Sequence, residues 1–185
     1  GLDFDRVSVV GILNADSMLN YPDFRSYERA FQLMAQVAGR AGRRNKQGLL
    51  VLQTKSPDLP LIHQVMSNDY FRMYSEQLEE RELFKYPPFY RLVYVYLKHR
   101  KEDVLDQAAE LMASCLRKGL GERILGPDKP PVSRIQTLFI KKIVVKIELD
   151  ASLAKVRAYL QQVQRFLTED ERFRSLLVYY DVDPM

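Results

Sequence analysis

Two short, nearly unbroken apolar runs flank one amphipathic stretch near the start of the chain, and that order limits its possible folds more than any other feature. Val7 to Leu13 reads VSVVGIL and Leu49 to Thr54 reads LLVLQT. Runs this brief, without polar alternation, predict strands buried on both faces. Between them, from about Ser26 to Arg44, the residues Tyr27, Ala30, Phe31, Met34, Val37, Ala38 and Ala41 recur at helical spacing and form one apolar stripe. Strand, helix, strand in so little chain predicts a parallel crossover unit, because parallel strands need a connection that carries the chain back to the same end of the sheet.

Pro57 and Pro60 punctuate the chain before a helical stretch from about Leu61 to Phe84, which stops at Lys85-Tyr86-Pro87-Pro88. A proline pair cannot continue a helix. The reading is therefore an α/β piece over residues 1–60, a connecting helix and Pro-Pro boundary over 61–88, and a small α+β domain over 89–185. In that last part Arg91 to His99 reads as a strand. Glu102 to Lys118 reads as a helix with the stripe Leu105, Ala108, Ala109, Met112, Cys115 and Leu116, which makes Cys115 a buried core thiol. The loop GPDKPPVSR leads into Ile135 to Leu149, which has room for one long strand or two. A helix from about Ser152 to Thr168 and a strand from Leu176 to Asp183 complete a sandwich with helices on one side.

Hydrophobic residues at 46% and charged residues at 28% are the balance of an ordinary globular protein. No apolar run approaches the roughly 20 residues of a membrane span, and GLDFDRV lacks the basic and apolar regions of a secretion signal, so a cytoplasmic location is expected. A single cysteine excludes an internal disulfide, and His63 and His99 do not make a zinc-ligand set; no structural metal is expected. The net charge of +4 is modest, so its distribution matters more. Two windows lack acids. One, Met34 to Pro57, holds Arg40, Arg43, Arg44, Lys46 and Lys55; the other, Lys129 to Ile147, holds Lys129, Arg134, Lys141, Lys142 and Lys146. Each can face phosphate or be a solvated basic surface.

The sharpest local feature is Gln36-Val-Ala-Gly39-Arg40-Ala-Gly42-Arg43. At about 100° per residue, Gln36, Arg40 and Arg43 cluster opposite the apolar stripe. That is the ordinary wet side of an amphipathic helix, except for the glycines. Each glycine costs a helix interior about 1 kcal/mol relative to alanine, and two of them beside arginines clear the way for another surface to approach. The planar, permanently charged guanidinium suits phosphate oxygens and stabilises charge on a transferring phosphoryl group.

QVAGRAGR resembles the Q-x-x-G-R-x-G-R motif VI of superfamily 2 helicases. Gly1-Leu-Asp3-Phe4 resembles the end of motif V in the primosomal, replication-restart branch of that superfamily. Asn14-Ala-Asp16, Asp23-Phe24-Arg25, Glu28-Arg29, the YPPF at Tyr86 to Phe89 and the terminal Asp181-Val-Asp183-Pro184 resemble further segments of the same branch. The resemblance implies a partial RecA-like parallel helicase lobe followed by a small α+β domain. It implies that Arg40 and Arg43 are an arginine-finger pair positioned by Gln36, with Gly39, Gly42 and Asp3 on the nucleotide side. Arg44, Lys46, Arg134, Lys141, Lys142 and Lys146 become DNA-binding candidates. For the parent protein the resemblance implies ATP and Mg, zinc in an insertion outside this segment, and 3′ to 5′ unwinding at stalled forks. Its implied partners are forked or single-stranded DNA, single-strand-binding protein and primosome components.

Where the family carries a basic, aromatic-rich strand, this chain has Ser133-Arg-Ile-Gln-Thr-Leu-Phe-Ile-Lys141-Lys142, and tryptophan is absent. Base stacking there falls to Phe139. No G-x-x-x-x-G-K-[ST] loop and no DExH box occur in the sequence, so these residues alone are expected neither to bind nor to hydrolyse ATP. Two other classes remain open. One is a stand-alone nucleic-acid-binding module built on the acid-free windows. The other is a protein-interaction scaffold using Tyr70, Phe71, Tyr74, Phe84, Tyr86, Phe89 and Tyr90, which can equally pack between domains. A parallel sheet interrupted just before Val7 is expected to leave an edge or apolar face bare, with self-association or disorder of residues 1–55.

Overall fold

Val9–Ile12 (β1) and Leu49–Leu52 (β2) pair as parallel strands, Val9 opposite Leu49 and Ile12 opposite Leu52. They belong to a computed structural model that describes residues 8–39 and 49–184. A single turn, Asp16–Leu19 (α1), and the helix Ser26–Ala38 (α2) separate them in sequence, so the strand–helix–strand order follows the hydrophobic periodicity. Burial on both faces does not. Val9, Leu49 and Val51 are 56%, 57% and 50% exposed, while Val10, Ile12, Leu50 and Leu52 are half-buried. Among the described residues this sheet has two strands and Ile12 and Leu52 face its core, so the alternate side chains have no second layer to enter.

The spacing predicts a helix to Arg44; α2 closes at Ala38 with Gly39 as its C-cap, and residues 40–48 lie outside the described ones. The stretch read as one helix from Leu61 to Phe84 is two, Pro60–Ser67 (α3) and Tyr70–Leu83 (α4). Asn68 takes the left-handed conformation (φ 53°, ψ 38°) that asparagine tolerates better than most residues. Asp69 then caps the next helix, its Oδ1 accepting the Arg72 N–H at 3.1 Å. Stop and start signals thus sit side by side. Ala15, Leu19, Ala30, Phe31, Met34, Leu61, Ile62, Val65 and Met73 form the core of this first unit, Gly1–Leu83.

The second unit, Phe84–Met185, is an antiparallel sheet with helices on one face. Its strands are Tyr90–His99 (β3), Ile124–Asp128 (β4), Arg134–Ile135 (β5), Leu138–Glu148 (β6) and Leu177–Val182 (β7), in the order β4-β6-β3-β7 with β5 paired to β6. The segment with room for one strand or two is a hairpin, Ile135 opposite Leu138. β4 lies partly in what reads as loop, where Gly126-Pro127 breaks the pattern of a regular strand. Glu102–Leu120 (α5) and Leu153–Thr168 (α6) cover one face. Val93, Val95 and Leu97 of β3 and Ile143, Val145 and Ile147 of β6 join Leu105, Ala109, Met112 and Leu116 of α5 in one core, completed by Leu160, Val163 and Leu167 of α6. Each fully buried aliphatic side chain contributes about 1.5–3 kcal/mol, so this alternation is the main stabilising pattern of the unit.

Gly119 sets how closely the helices approach: a Cβ there would lie 2.5 Å from the Tyr159 ring, whose hydroxyl donates to the Cys115 carbonyl at 2.6 Å. Cys115 itself is half-buried beside the core rather than inside it. His99 is a satisfied core histidine, Nε2 2.8 Å from Ser175 Oγ and Nδ1 3.0 Å from the Lys101 backbone. The mixed α/β class and the one-sided antiparallel sandwich agree with the sequence reading.

Candidate functional site

The side chain of Gln36 is exposed on the last turn of α2, whereas Ala30, Phe31 and Met34 of the same helix are buried. Gly39 follows as a C-cap with φ −65°, and an added Cβ would meet only Ala35 O at 3.6 Å and Gln36 O at 3.8 Å, ordinary contact distances. Packing among the described residues therefore does not demand glycine at 39. Arg40, Gly42, Arg43, Arg44, Lys46 and Asp3 lie outside the described residues.

The opposite, N-terminal end of α2 is held by polar contacts of the segments that resemble the family. Arg81 of α4 donates to Glu28 of α2 at 2.6 Å with its side chain only 15% exposed. Its guanidinium and that of Arg25 lie 5.2 and 4.7 Å from the Phe24 ring centroid. Asp23 accepts the Arg25 N–H at 2.8 Å and pairs with Arg29 at 3.3 Å. At the strand ends, Asp16 accepts the Thr54 hydroxyl at 2.8 Å and the Lys55 N–H at 3.0 Å. The Lys55 N–H and then the Thr54 hydroxyl hold its carboxyl below the ordinary value of 3.8. The Asp23-Phe24-Arg25, Glu28-Arg29 and Asn14-Ala-Asp16 segments thus fix α2 and tie the exit of β1 to that of β2.

In the second unit, strand alternation divides the expected DNA-binding lysines. Lys141 is in register with Leu97, on the helix side, and forms an ion pair with Asp106 at 2.9 Å. Lys142 and Lys146 point to the opposite, open face. Lys146 is only 8% exposed: its ammonium donates to the Phe84 carbonyl at 2.6 Å and lies 3.7 Å over the Tyr86 ring. Burial, and then the neighbouring Lys85, lower its pKa. It anchors the segment before β3 rather than facing solvent. Arg134 is exposed on the hairpin, stacked 4.8 Å from the Phe139 centroid. Phe139, in register with His99, packs against the helix-side core, so it is not an open-face stacking residue.

What the open face does carry is a row of aromatic rings bracketed by cations. Tyr96 of β3 and Tyr179 of β7 are direct cross-strand partners with centroids 4.9 Å apart and planes 16° from parallel. Tyr94 meets Tyr96 edge-on at 6.2 Å. Lys98 Nζ lies 4.6 Å over the Tyr179 ring and Lys142 Nζ 4.5 Å over the Tyr94 ring. Tyr179 is 40% exposed; the next residue, Tyr180, points the other way, donates to Gln164 at 2.8 Å and is pushed up to about 12 by burial. The missed signal is legible in YRLVYVYLKH, where Tyr94, Tyr96 and Lys98 alternate with Val93, Val95 and Leu97. Chemically, the row offers ring faces and movable cations. An exposed cation–π contact contributes only about 0.5–1 kcal/mol, less than the roughly 1–3 kcal/mol of a base stacked on an aromatic ring.

Among the described residues no cluster of His, Cys, Asp and Glu could hold a metal ion, and no helix is long and apolar enough to cross a membrane.

The sequence model of the primosomal protein N C-terminal domain matches residues 82–185. Over 186 residues the chain is 34% identical to the replication restart protein PriA of Bacillus subtilis (strain 168), covering 100% of the chain and 23% of that protein. Its namesake in Synechocystis sp. is 32% identical over 187 residues (100% and 22%), and that of Treponema pallidum is 34% identical over 188 (100% and 28%). The chain therefore spans between 22% and 28% of the length of these three relatives.

Proposed function

Because the chain belongs to the primosomal protein N C-terminal domain family, we propose that it is the C-terminal part of an ATP-dependent 3′ to 5′ DNA helicase that restarts stalled replication forks. In this reading the first unit is the last part of the second RecA-like motor lobe, and the second unit is a DNA- and partner-binding domain. The parallel pair β1 and β2, with α2 between them in sequence, is what such a lobe would contribute.

The observation that carries the reading is the end of α2. Gln36 is exposed there, opposite a packed stripe and three residues before Gly39, a glycine that local packing does not require, in a chain 34% identical along its whole length to a replication restart protein. In this reading Arg40 and Arg43 act on the phosphates of a nucleotide held mainly by another lobe, Gln36 supports them, and Gly39, Gly42 and Asp3 belong to the same nucleotide site. ATP and Mg belong to that longer protein, as does its zinc. With no phosphate loop among these residues, the 185-residue chain does not hydrolyse ATP by itself. The partners are forked or single-stranded DNA, single-strand-binding protein and primosome components in the cytoplasm. The bare side of β1 and β2 is covered by more of the lobe in the parent and by self-association in its absence.

Arg40→Ala and Arg43→Ala, each in the full-length parent, test this. Losing an arginine finger costs about 10³–10⁵ in turnover, so DNA-stimulated ATPase is expected to collapse while DNA binding persists. Normal turnover in both variants would sink the assignment.

A further inference from the structure

Of the row Lys98, Tyr179, Tyr96, Tyr94, Lys142, only Lys142 is among the DNA-binding candidates that the family resemblance implies; the three rings and Lys98 are not. We propose that it is a stacking platform for single-stranded DNA; the proposal rests on reading the second unit as a DNA-binding domain and assigns that binding to particular side chains.

The five side chains share one face by register. Tyr94, Tyr96 and Lys98 are alternate residues of β3, Tyr179 is directly opposite Tyr96, and Lys142 is the β6 partner of Tyr96. The stacked Tyr96–Tyr179 pair and the edge-on Tyr94 give a continuous aromatic line. Lys98 over one end and Lys142 over the other place an ammonium on a ring at each end of that line. A strand of DNA supplies what each group exchanges for its present contact: phosphates draw the two ammonium groups off the rings, and bases take the ring faces the ammonium groups leave. A duplex does not fit this chemistry, because its bases are stacked on one another and present no free faces.

The same face also carries Asp128, in register with Lys142, and Asp181, in register with Tyr94, both exposed. These carboxylates oppose the two lysines. Affinity is therefore carried by stacking, and its salt dependence is shallow, no steeper than the two phosphates that Lys98 and Lys142 can neutralise. An acidic peptide, which would use the lysines and not the rings, gives the opposite signature.

The test is fluorescence anisotropy of a labelled oligothymidylate with the 185-residue chain across a salt series. Tyr96→Ala and Tyr179→Ala are each expected to weaken binding about ten-fold or more, the scale of one lost base–ring stack. Tyr96→Phe and Tyr179→Phe, which keep the ring, should hold within about two-fold. Lys98→Gln with Lys142→Gln should flatten the log–log salt slope by about 1.4, since each single-strand phosphate contact contributes about 0.7. Should Tyr96→Ala unfold, as judged by circular dichroism, Tyr179→Ala at its partly exposed position and the lysine pair decide the matter. Unchanged binding in the folded tyrosine variants, beside clear binding by the unaltered chain, overturns the platform and leaves the second unit a DNA-binding domain by another surface. No binding by the unaltered chain to single-stranded, duplex or forked DNA overturns both. Equal affinity for duplex and single strand, or displacement by polyglutamate with loss confined to the lysine variant, overturns the platform alone.

Discussion

In the first unit the sheet face turned from the core shows Val9, Leu49 and Val51, each at least half exposed. In the second unit the corresponding face shows Tyr94, Tyr96, Tyr179, Lys98 and Lys142. Bare aliphatic side chains gain nothing from water and stabilise a fold only under another layer. Tyrosines and lysines carry an apolar body and a polar tip, so they are stable at a wet surface and still present a flat face to a ligand. The first face exposes aliphatic side chains; the second exposes amphipathic ones whose contacts can be exchanged. A β-face is diagnosed by which side chains it leaves outside, not by how much apolar area it exposes.

The largest test of that contrast is truncation at its interior counterpart. Leu97→Ala, on the helix side of β3 and fully buried, is expected to destabilise the second unit by about 2–5 kcal/mol in urea unfolding. A loss under 1 kcal/mol would mean the second unit is packed as loosely as the outer face of the first. Next, Val51→Lys should change stability within about 0.5 kcal/mol, as for an exposed site with no specific partner, while reducing concentration-dependent association in sedimentation velocity. Association that persists unchanged breaks the link between the bare strands and oligomerisation.

The smallest expected effect concerns Asp16, which ties the two exits of the small sheet together. Its folded pKa is lowered by the Lys55 N–H and the Thr54 hydroxyl. A lowered carboxylate pKa means the unfolded chain binds the proton first. The contribution is therefore fully present above the ordinary 3.8 and lost as pH falls through the lower folded value. Asp16→Asn should flatten the acid limb of a stability–pH profile read by unfolding of the first unit, leaving the second unchanged. An unaltered limb would show that the Asp16 contacts do not hold the strand ends.

Much of the fold is legible without coordinates because it follows local periodicity. The stripe from Leu105 to Leu116 and the alternation from Val93 to Leu97 each name an element and its buried side. Punctuation was harder to read. Asn68-Asp69 stops one helix and starts the next within two residues, and only the backbone reveals that asparagine is left-handed there. The site was legible in its chemistry and not in its grouping. Lys141, Lys142 and Lys146 look like one basic cluster, yet alternation sends Lys141 to Asp106, and local folding buries Lys146 against Phe84 and Tyr86.

The amino-acid sequence alone determined most of the element types and the helix faces that pack, and it displays a glycine–arginine segment that resembles a helicase motif, because periodicity and short motifs are properties of neighbouring residues. Only the tertiary structure decided which lysines are spent inside the fold and which reach a surface. Only it joined Tyr96 to Tyr179, which stand 83 positions apart in the sequence and one strand apart in the sheet. The reason is that register couples distant residues through backbone hydrogen bonds, and neither composition nor spacing along one strand says which partner strand lies beside it.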